Sequence, residues 1–236
     1  MKNILIPTHL SPDTEIAVRT AICSASGTGT EIMLLLTADA PTSESASALL
    51  RSMRHELTAS QLSVLDDCRD VARKSGFSLK FHTQYSLSGP LLRNLLQAME
   101  TGLVIIPASY ANSTQSTHTS CVKWLSLSKL PILQLSETAT PELRKALLIE
   151  NGLGQLPVHE LQLQINRKLP IQIVSQANIS SEEQSLRQLL SETIDLRDID
   201  VLIHTRRTEK TGRRKNDAAF PESFGLSVLS VYENAI

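Results

Sequence analysis

Two His-Glu pairs open like a helical zinc-hydrolase signature: His55-Glu56-Leu57-Thr58-Ala59 and His159-Glu160-Leu161-Gln162-Leu163. That chemistry needs a second histidine one helical turn on, so that two imidazoles meet at one metal. Ala59 and Leu163 stand there instead, and neither segment can hold zinc that way. Cys23, Cys68 and Cys121 are too few and too far apart for a disulfide framework or a thiolate metal site. Gly27-Thr28-Gly29 joins a helix to a strand, the wrong direction for a dinucleotide fingerprint. Gly152-Leu153-Gly154 does run from strand to helix. Pro157 replaces its third glycine, however, and no acid ends the next strand at Ser175-Gln176, so it reads as a tight turn. No Gly-x-Ser-x-Gly elbow occurs. No catalytic residue and no metal site is expected.

Three other features could carry chemistry. His9 follows the first strand and could touch a ligand or titrate near neutral pH; a hydrogen-bonded histidine at a strand end is the favoured reading. Cys121 is read as a buried small residue, with a redox-sensitive thiol at a helix start as the alternative. Cys23 and Cys68 are read as packing. Arg206, Arg207, Lys210, Arg213, Arg214 and Lys215 form a basic cluster after a late strand, relieved only by Glu209. Six cations there could hold a nucleotide, a phosphorylated partner or nucleic acid, or could simply be a solvated loop.

The whole chain gives such a cluster little help. Its 236 residues carry 23 Lys+Arg against 24 Asp+Glu, a formal net charge of -1, so no global field favours nucleic acid or membrane. Eight aromatic side chains (one Trp, three Tyr, four Phe) are few for stacking on bases. Nine glycines fall below the usual ~7% of residues, which leaves little material for phosphate-wrapping loops. No apolar run reaches the roughly 20 residues of a spanning helix. The short start Met1–Pro7 reads as a strand rather than a leader, and a cytoplasmic protein is expected.

Strand and helix signals alternate through residues 1–137. Lys2–Pro7, Glu31–Thr37, Phe77–Tyr85, Leu103–Pro107 and Pro131–Leu135 are predicted strands, the apolar ones unalternating and therefore buried on both faces. Ser11-Pro12-Asp13 is a helix start with an acid in its first turn. Helices are predicted after it, over Ser43–Lys74, from Gly89-Pro90 to Gly102, and around Val122–Ser128, preceded by a polar stretch Ser109–Ser120. Thr138–Pro141 is a linker. A shorter series follows over residues 141–236: strands Lys145–Glu150, Pro170–Gln176, Asp200–Thr205 and Leu226–Tyr232, a helix about Pro157–Lys168, and another opened by the capping box Ser180-Ser181-Glu182-Glu183. The pattern predicts an α/β protein of two open, mostly parallel twisted sheets with helices on both faces, the second module truncated.

Residues 1–137 resemble the universal stress protein family. Ile4-Leu5-Ile6-Pro7-Thr8-His9-Leu10-Ser11 is similar to that family's opening Val/Ile-Pro-x-Asp-x-Ser, and Gly29-Thr30-Glu31-Ile32 to its second-strand start. Gly102–Ile106 and Leu130–Leu135 are similar to its fourth and closing strands. The resemblance implies strand order 3-2-1-4-5 and, for a tandem chain, two modules paired as an internal dimer. It also implies an ATP site between strand one and the loop after strand four, the cleft of His9, Thr37, Pro107, Ser109, Tyr110, Ser120 and Cys121. The family's phosphate loop, Gly-x2-Gly-x9-Gly-Ser/Thr, falls here on Pro107, Tyr110, Ser120 and Cys121. Proline has no N–H, a tyrosine ring blocks close approach of backbone, and a thiol donates weakly. The strand-one Asp is His9. The expectation is a stress-response regulator acting through protein contacts or self-association through edge strands. No cofactor is expected, ATP being disfavoured, and no enzymatic activity beyond a weak ATPase. The alternatives are an ATP/ADP-binding protein with its own contacts, and a nucleic-acid-associated regulator using the basic loop.

Overall fold

The computed structural model describes residues 3–25, 29–39, 57–150, 157–178, 183–206 and 224–232. The predicted turn at Gly152–Gly154, residues 43–56, the capping-box residues Ser180–Glu182 and the basic residues Arg207, Lys210, Arg213, Arg214 and Lys215 lie outside this set.

Among the described residues nine strands form: β1 (Asn3–Thr8), β2 (Glu31–Ala38), β3 (Ser78–Tyr85), β4 (Thr101–Ile106), β5 (Ile132–Gln134), β6 (Lys145–Glu150), β7 (Gln172–Asn178), β8 (Val201–Arg206) and β9 (Ser227–Tyr232). The helices are α1 (Asp13–Ser24), α2 (Ala59–Lys74), α3 (Gly89–Ala98), a single turn α4 (Ala108–Ala111), α5 (Ser116–Ser126), α6 (Val158–Asn166) and α7 (Glu183–Arg197). β1 and β4 are the unbroken apolar runs of the sequence. Ile4, Leu5 and Ile6, and Leu103 to Ile105, are fully buried because helices cover both faces of the sheet.

The expected long helix over Ser43–Lys74 does not form as one piece. Thr58 caps α2, its hydroxyl accepting the Gln61 N–H while the Gln61 side chain accepts the Thr58 N–H. This reciprocal pair satisfies two donors that a continuous helix would leave to its preceding turn, and it fixes the start at Ala59. The expected helix at Val122–Ser128 also begins earlier, at Ser116, and the polar stretch before it contains α4.

The strand order is β3-β2-β1-β4-β5-β9-β8-β6-β7, in one sheet. This corrects the expectation of two sheets. β5 ends one parallel series and β9 the other, each with a free edge, and they pair antiparallel through Ile132↔Ser230, Leu133↔Leu229 and Gln134↔Val228. An unpaired edge is a row of unsatisfied N–H and C=O groups, so mutual pairing removes two at once. The order β7-β6-β8-β9 is that of β2-β1-β4-β5, with nothing outside β7 among the described residues where β3 lies outside β2.

β7 is therefore an outer strand, and one side chain tends its edge. Gln172 N–H points to the Arg144 carbonyl at the start of β6, so the backbone groups of Ile171 and Ile173 face the other way. Gln162 of α6 meets both: its amide donates to the Ile171 carbonyl and its oxygen accepts the Ile173 N–H, each at 2.7 Å.

α1, α2 and α6 cover one face, where a continuous core runs from Ile4, Val18 and Leu65 to Leu161, Ile203 and Leu229. The other face carries α3, α4 and α5 over Leu5, Val104 and Ile106, and α7 over Leu147, Ile149 and Leu202.

Candidate functional site

β1 and β4 are neighbours whose connections leave on opposite faces, β1 into α1 and β4 into α4 and α5. A parallel sheet opens a crevice at such a point, beyond the carboxyl ends of the strands. Its walls are the residues 8–13 and 107–121.

The β1–α1 connection is tied down by hydroxyls. Thr8 Oγ1 accepts the Leu10 N–H at 2.8 Å and lies 2.7 Å from Thr14 Oγ1. Leu10 takes a positive φ of 62°, an uncommon conformation for a side chain of its size, and is buried. The turn aims Asp13 across the crevice at the residue after α4 begins. The Ser109 N–H donates to Asp13 Oδ2 at 2.8 Å, the Ser109 hydroxyl to Oδ1 at 2.7 Å, and the Ser11 hydroxyl also to Oδ1. Burial alone would raise the Asp13 pKa. The donors at Ser11 and Ser109, with the charge of His9 nearby, outweigh it and hold the carboxyl below its ordinary value. This carboxylate clamps α1 to the chain after β4. Replacing Asp13 with alanine is expected to cost about 2 kcal/mol in urea unfolding, since it strands a backbone N–H as well as breaking charged hydrogen bonds.

Rings fill the interior of the crevice. Tyr110 is fully buried, its hydroxyl 2.8 Å from Thr37 Oγ1, and it shares its buried cluster with Cys121. His118 lies 4.5 Å from the Tyr110 ring and 5.4 Å from the His9 ring, centroid to centroid, and His9 and Tyr110 are 6.2 Å apart. Burial lowers the His118 pKa, and His9 lowers it further. His118 Nδ1 is 2.7 Å from the Ser113 hydroxyl. His9 differs: its carbonyl accepts from Gln61, but its buried Nδ1 has no partner, so the expected hydrogen-bonded imidazole is a stacked one instead.

Of the cleft residues named from sequence, His9, Thr37, Ser109, Tyr110 and Cys121 do come together. Pro107 caps α4, with φ of -61°. Ser120 and Cys121 are not in a loop but inside α5. Cys121 is accordingly no helix-start thiolate, and burial pushes its pKa up to about 11. Cys68 is buried as expected, whereas Cys23 is exposed, because it falls on the outer side of α1. Ser11, Asp13 in its clamping role, Ser113 and His118 were not found from sequence. The spacing of His118, Cys121 and Leu125 along one helical face could have marked that histidine as inward. Arg206 leaves the basic cluster: it lies in β8 and its guanidinium donates to the carbonyls of Ser126 and Leu130, at the end of α5 and the approach to β5. Among the described residues no group of three His, Cys, Asp or Glu is placed to share a metal ion. No helix among them is long and apolar enough to cross a membrane.

No family model matches the chain, and no curated protein matches it by sequence. Solved structures do. A universal stress protein from Archaeoglobus fulgidus DSM 4304 superposes with a TM-score of 0.56 at 11% identity, over 98% of this chain and 98% of that one. The fold is that of the universal stress proteins. A putative universal stress protein from Pseudomonas aeruginosa UCBPP-PA14 matches at TM-score 0.46 and 14% identity, covering 98% of this chain and 93% of its own. A universal stress protein family member from Burkholderia pseudomallei, at 0.40 and 17%, covers 57% of this chain and 95% of its own. In the universal-stress-protein fold of this chain, the order 3-2-1-4-5 predicted for the first half is the observed one.

Proposed function

We propose that this chain is a stress-response regulator of the universal-stress-protein kind, built from two such modules in tandem and joined through β5 and β9 as an internal pseudo-dimer. It works in the cytoplasm through protein contacts, without catalysis and without ATP. The observation that carries the reading is the Asp13 carboxylate seated on the Ser109 N–H and hydroxyl. A backbone N–H in the turn after β4 is the donor a phosphate in this crevice would need, and a fixed anion already holds it. A second anion brought there meets like charge in a partly desolvated place, which costs rather than gains free energy. Tyr110 supports the same reading by occupying the interior with a ring that is fully buried.

The test is calorimetric titration of the purified chain with magnesium ATP, with parallel assay of ADP release. The expected result is no saturable binding tighter than about 1 mM and no hydrolysis. A micromolar dissociation constant overturns the reading in favour of a nucleotide-binding protein with contacts of its own. Arg206 gives the nucleic-acid alternative little help, since its guanidinium is turned inward onto the carbonyls of Ser126 and Leu130.

A further inference from the structure

A second hollow lies at the seam where β5 pairs with β9, beside the end of β9 and the beginning of β5. It has a volume of about 290 Å³. Its floor is Ile165, Leu169, Leu229 and Val231, all part of the continuous core and no more than 7% exposed. Its rim carries Lys129 from the approach to β5, in one parallel series, and Arg167 and the half-buried Lys168 after α6, in the other. None of the described residues lining it is acidic, although the chain as a whole is slightly negative. The Lys129 ammonium sits 5.6 Å from the centre of the Tyr232 ring, which holds the charge at the mouth rather than leaving it to swing in solvent. The end of α6 would oppose an anion through its carbonyls. The Ile165 carbonyl, however, is already taken by the N–H groups of Lys168 and Leu169, each at 2.8 Å.

We infer that this hollow binds a small amphipathic anion: a single carboxylate or sulfonate between Lys129 and Arg167, with an aliphatic body on the apolar floor. Concave sites with an apolar lining and a few convergent polar groups are the usual form of small-molecule sites. The volume stands at the lower end of their ~300–1,000 Å³ range, which suits a short chain and is too small for a nucleotide. Because the two cations come from different halves of the sheet, an occupant bridges the seam and tightens the contact between them. The site is separate from the crevice beyond β1 and β4, and stands or falls independently of what that crevice binds.

Calorimetric titration of the full chain with sodium octanoate at neutral pH and low salt tests this. One saturable site is expected. Octan-1-ol, with the body and no charge, and inorganic phosphate, with the charge and no body, should each bind at least tenfold more weakly. Lys129 and Arg167 are both exposed, so the double variant Lys129→Ala/Arg167→Ala should keep its circular dichroism and lose octanoate affinity at least tenfold. Lys129 also lines a neighbouring groove between α3 and α5, which Arg93 lines and Arg167 does not, so Arg93→Ala should change nothing while Arg167→Ala alone weakens octanoate binding. Absence of saturable octanoate binding by the unaltered chain overturns the inference, as does less than a tenfold loss in the double variant, or octanol or phosphate matching octanoate.

Discussion

Replacing Tyr110 with alanine should lower the unfolding free energy by about 4 kcal/mol, the cost of emptying a large aromatic site that its neighbours cannot close. Its ring packs among Leu35, Ile106 and Leu125, on strands and a helix with little freedom to collapse inward. Tyr110→Phe separates the ring from its hydroxyl. That change keeps the packing but leaves Thr37, itself buried, without its bond, and should cost about 1 to 2 kcal/mol. Denaturant unfolding of the two variants reads both quantities. If Tyr110→Ala proves as stable as the parent, the ring is not part of the core and the crevice is open. The loss would also bear on the proposed function, because the ring that fills the interior of the crevice is the one that packs with α5 against the sheet.

A second large effect follows from His204. It lies in β8, its Nε2 hydrogen-bonded to the Ser230 hydroxyl in β9, and its pKa falls to about 4 through burial and then through the charge of Arg206. The unfolded chain titrates near 6.5, so it binds a proton that the folded chain refuses between these two values. Stability is therefore full above pH 6.5 and falls as the pH drops towards 4, by about 3 kcal/mol if the whole shift is realised. His118 shifts in the same direction and adds to the loss. Asp13 acts in the same direction in a lower window: its lowered pKa keeps its contribution through this range, and the contribution is lost as the pH falls below the ordinary carboxyl range, near pH 4. Urea unfolding at stepped pH measures the slope, and His204→Gln should flatten most of it. A slope unchanged in that variant would mean that His204 is solvated and charged in the native state.

The central strands were legible in the sequence because burial on both faces writes itself as an unbroken apolar run, as in Leu103-Val104-Ile105-Ile106, whereas β3 was legible by the alternation of Leu79, Phe81 and Thr83 with polar residues. Helix starts were less legible. Thr58 and Gln61 form a capping box, yet the apolar pattern running through residues 43–74 masked it. The single sheet could not be read at all, since β5 and β9 lie almost a hundred residues apart and neither carries a mark of its partner. The site divided along the same line. His9 and Tyr110 were named from local strings, while the clamp between Asp13 and Ser109 joins residues 96 positions apart and leaves no periodicity behind. Asp13 was noticed for its place in the first turn of a helix, which is a true but smaller part of its role.

The three-residue pairing of β5 with β9 has a consequence for how the molecule comes apart. One hydrophobic cluster passes beneath it without a break, so Leu133, Leu229 and Ile165 lend their packing to both sides at once. Neither portion owns a private interior on that face, and heat or denaturant has no natural place to stop halfway. Melting should be a single cooperative event, with the chain behaving as one foldon despite its repeated topology.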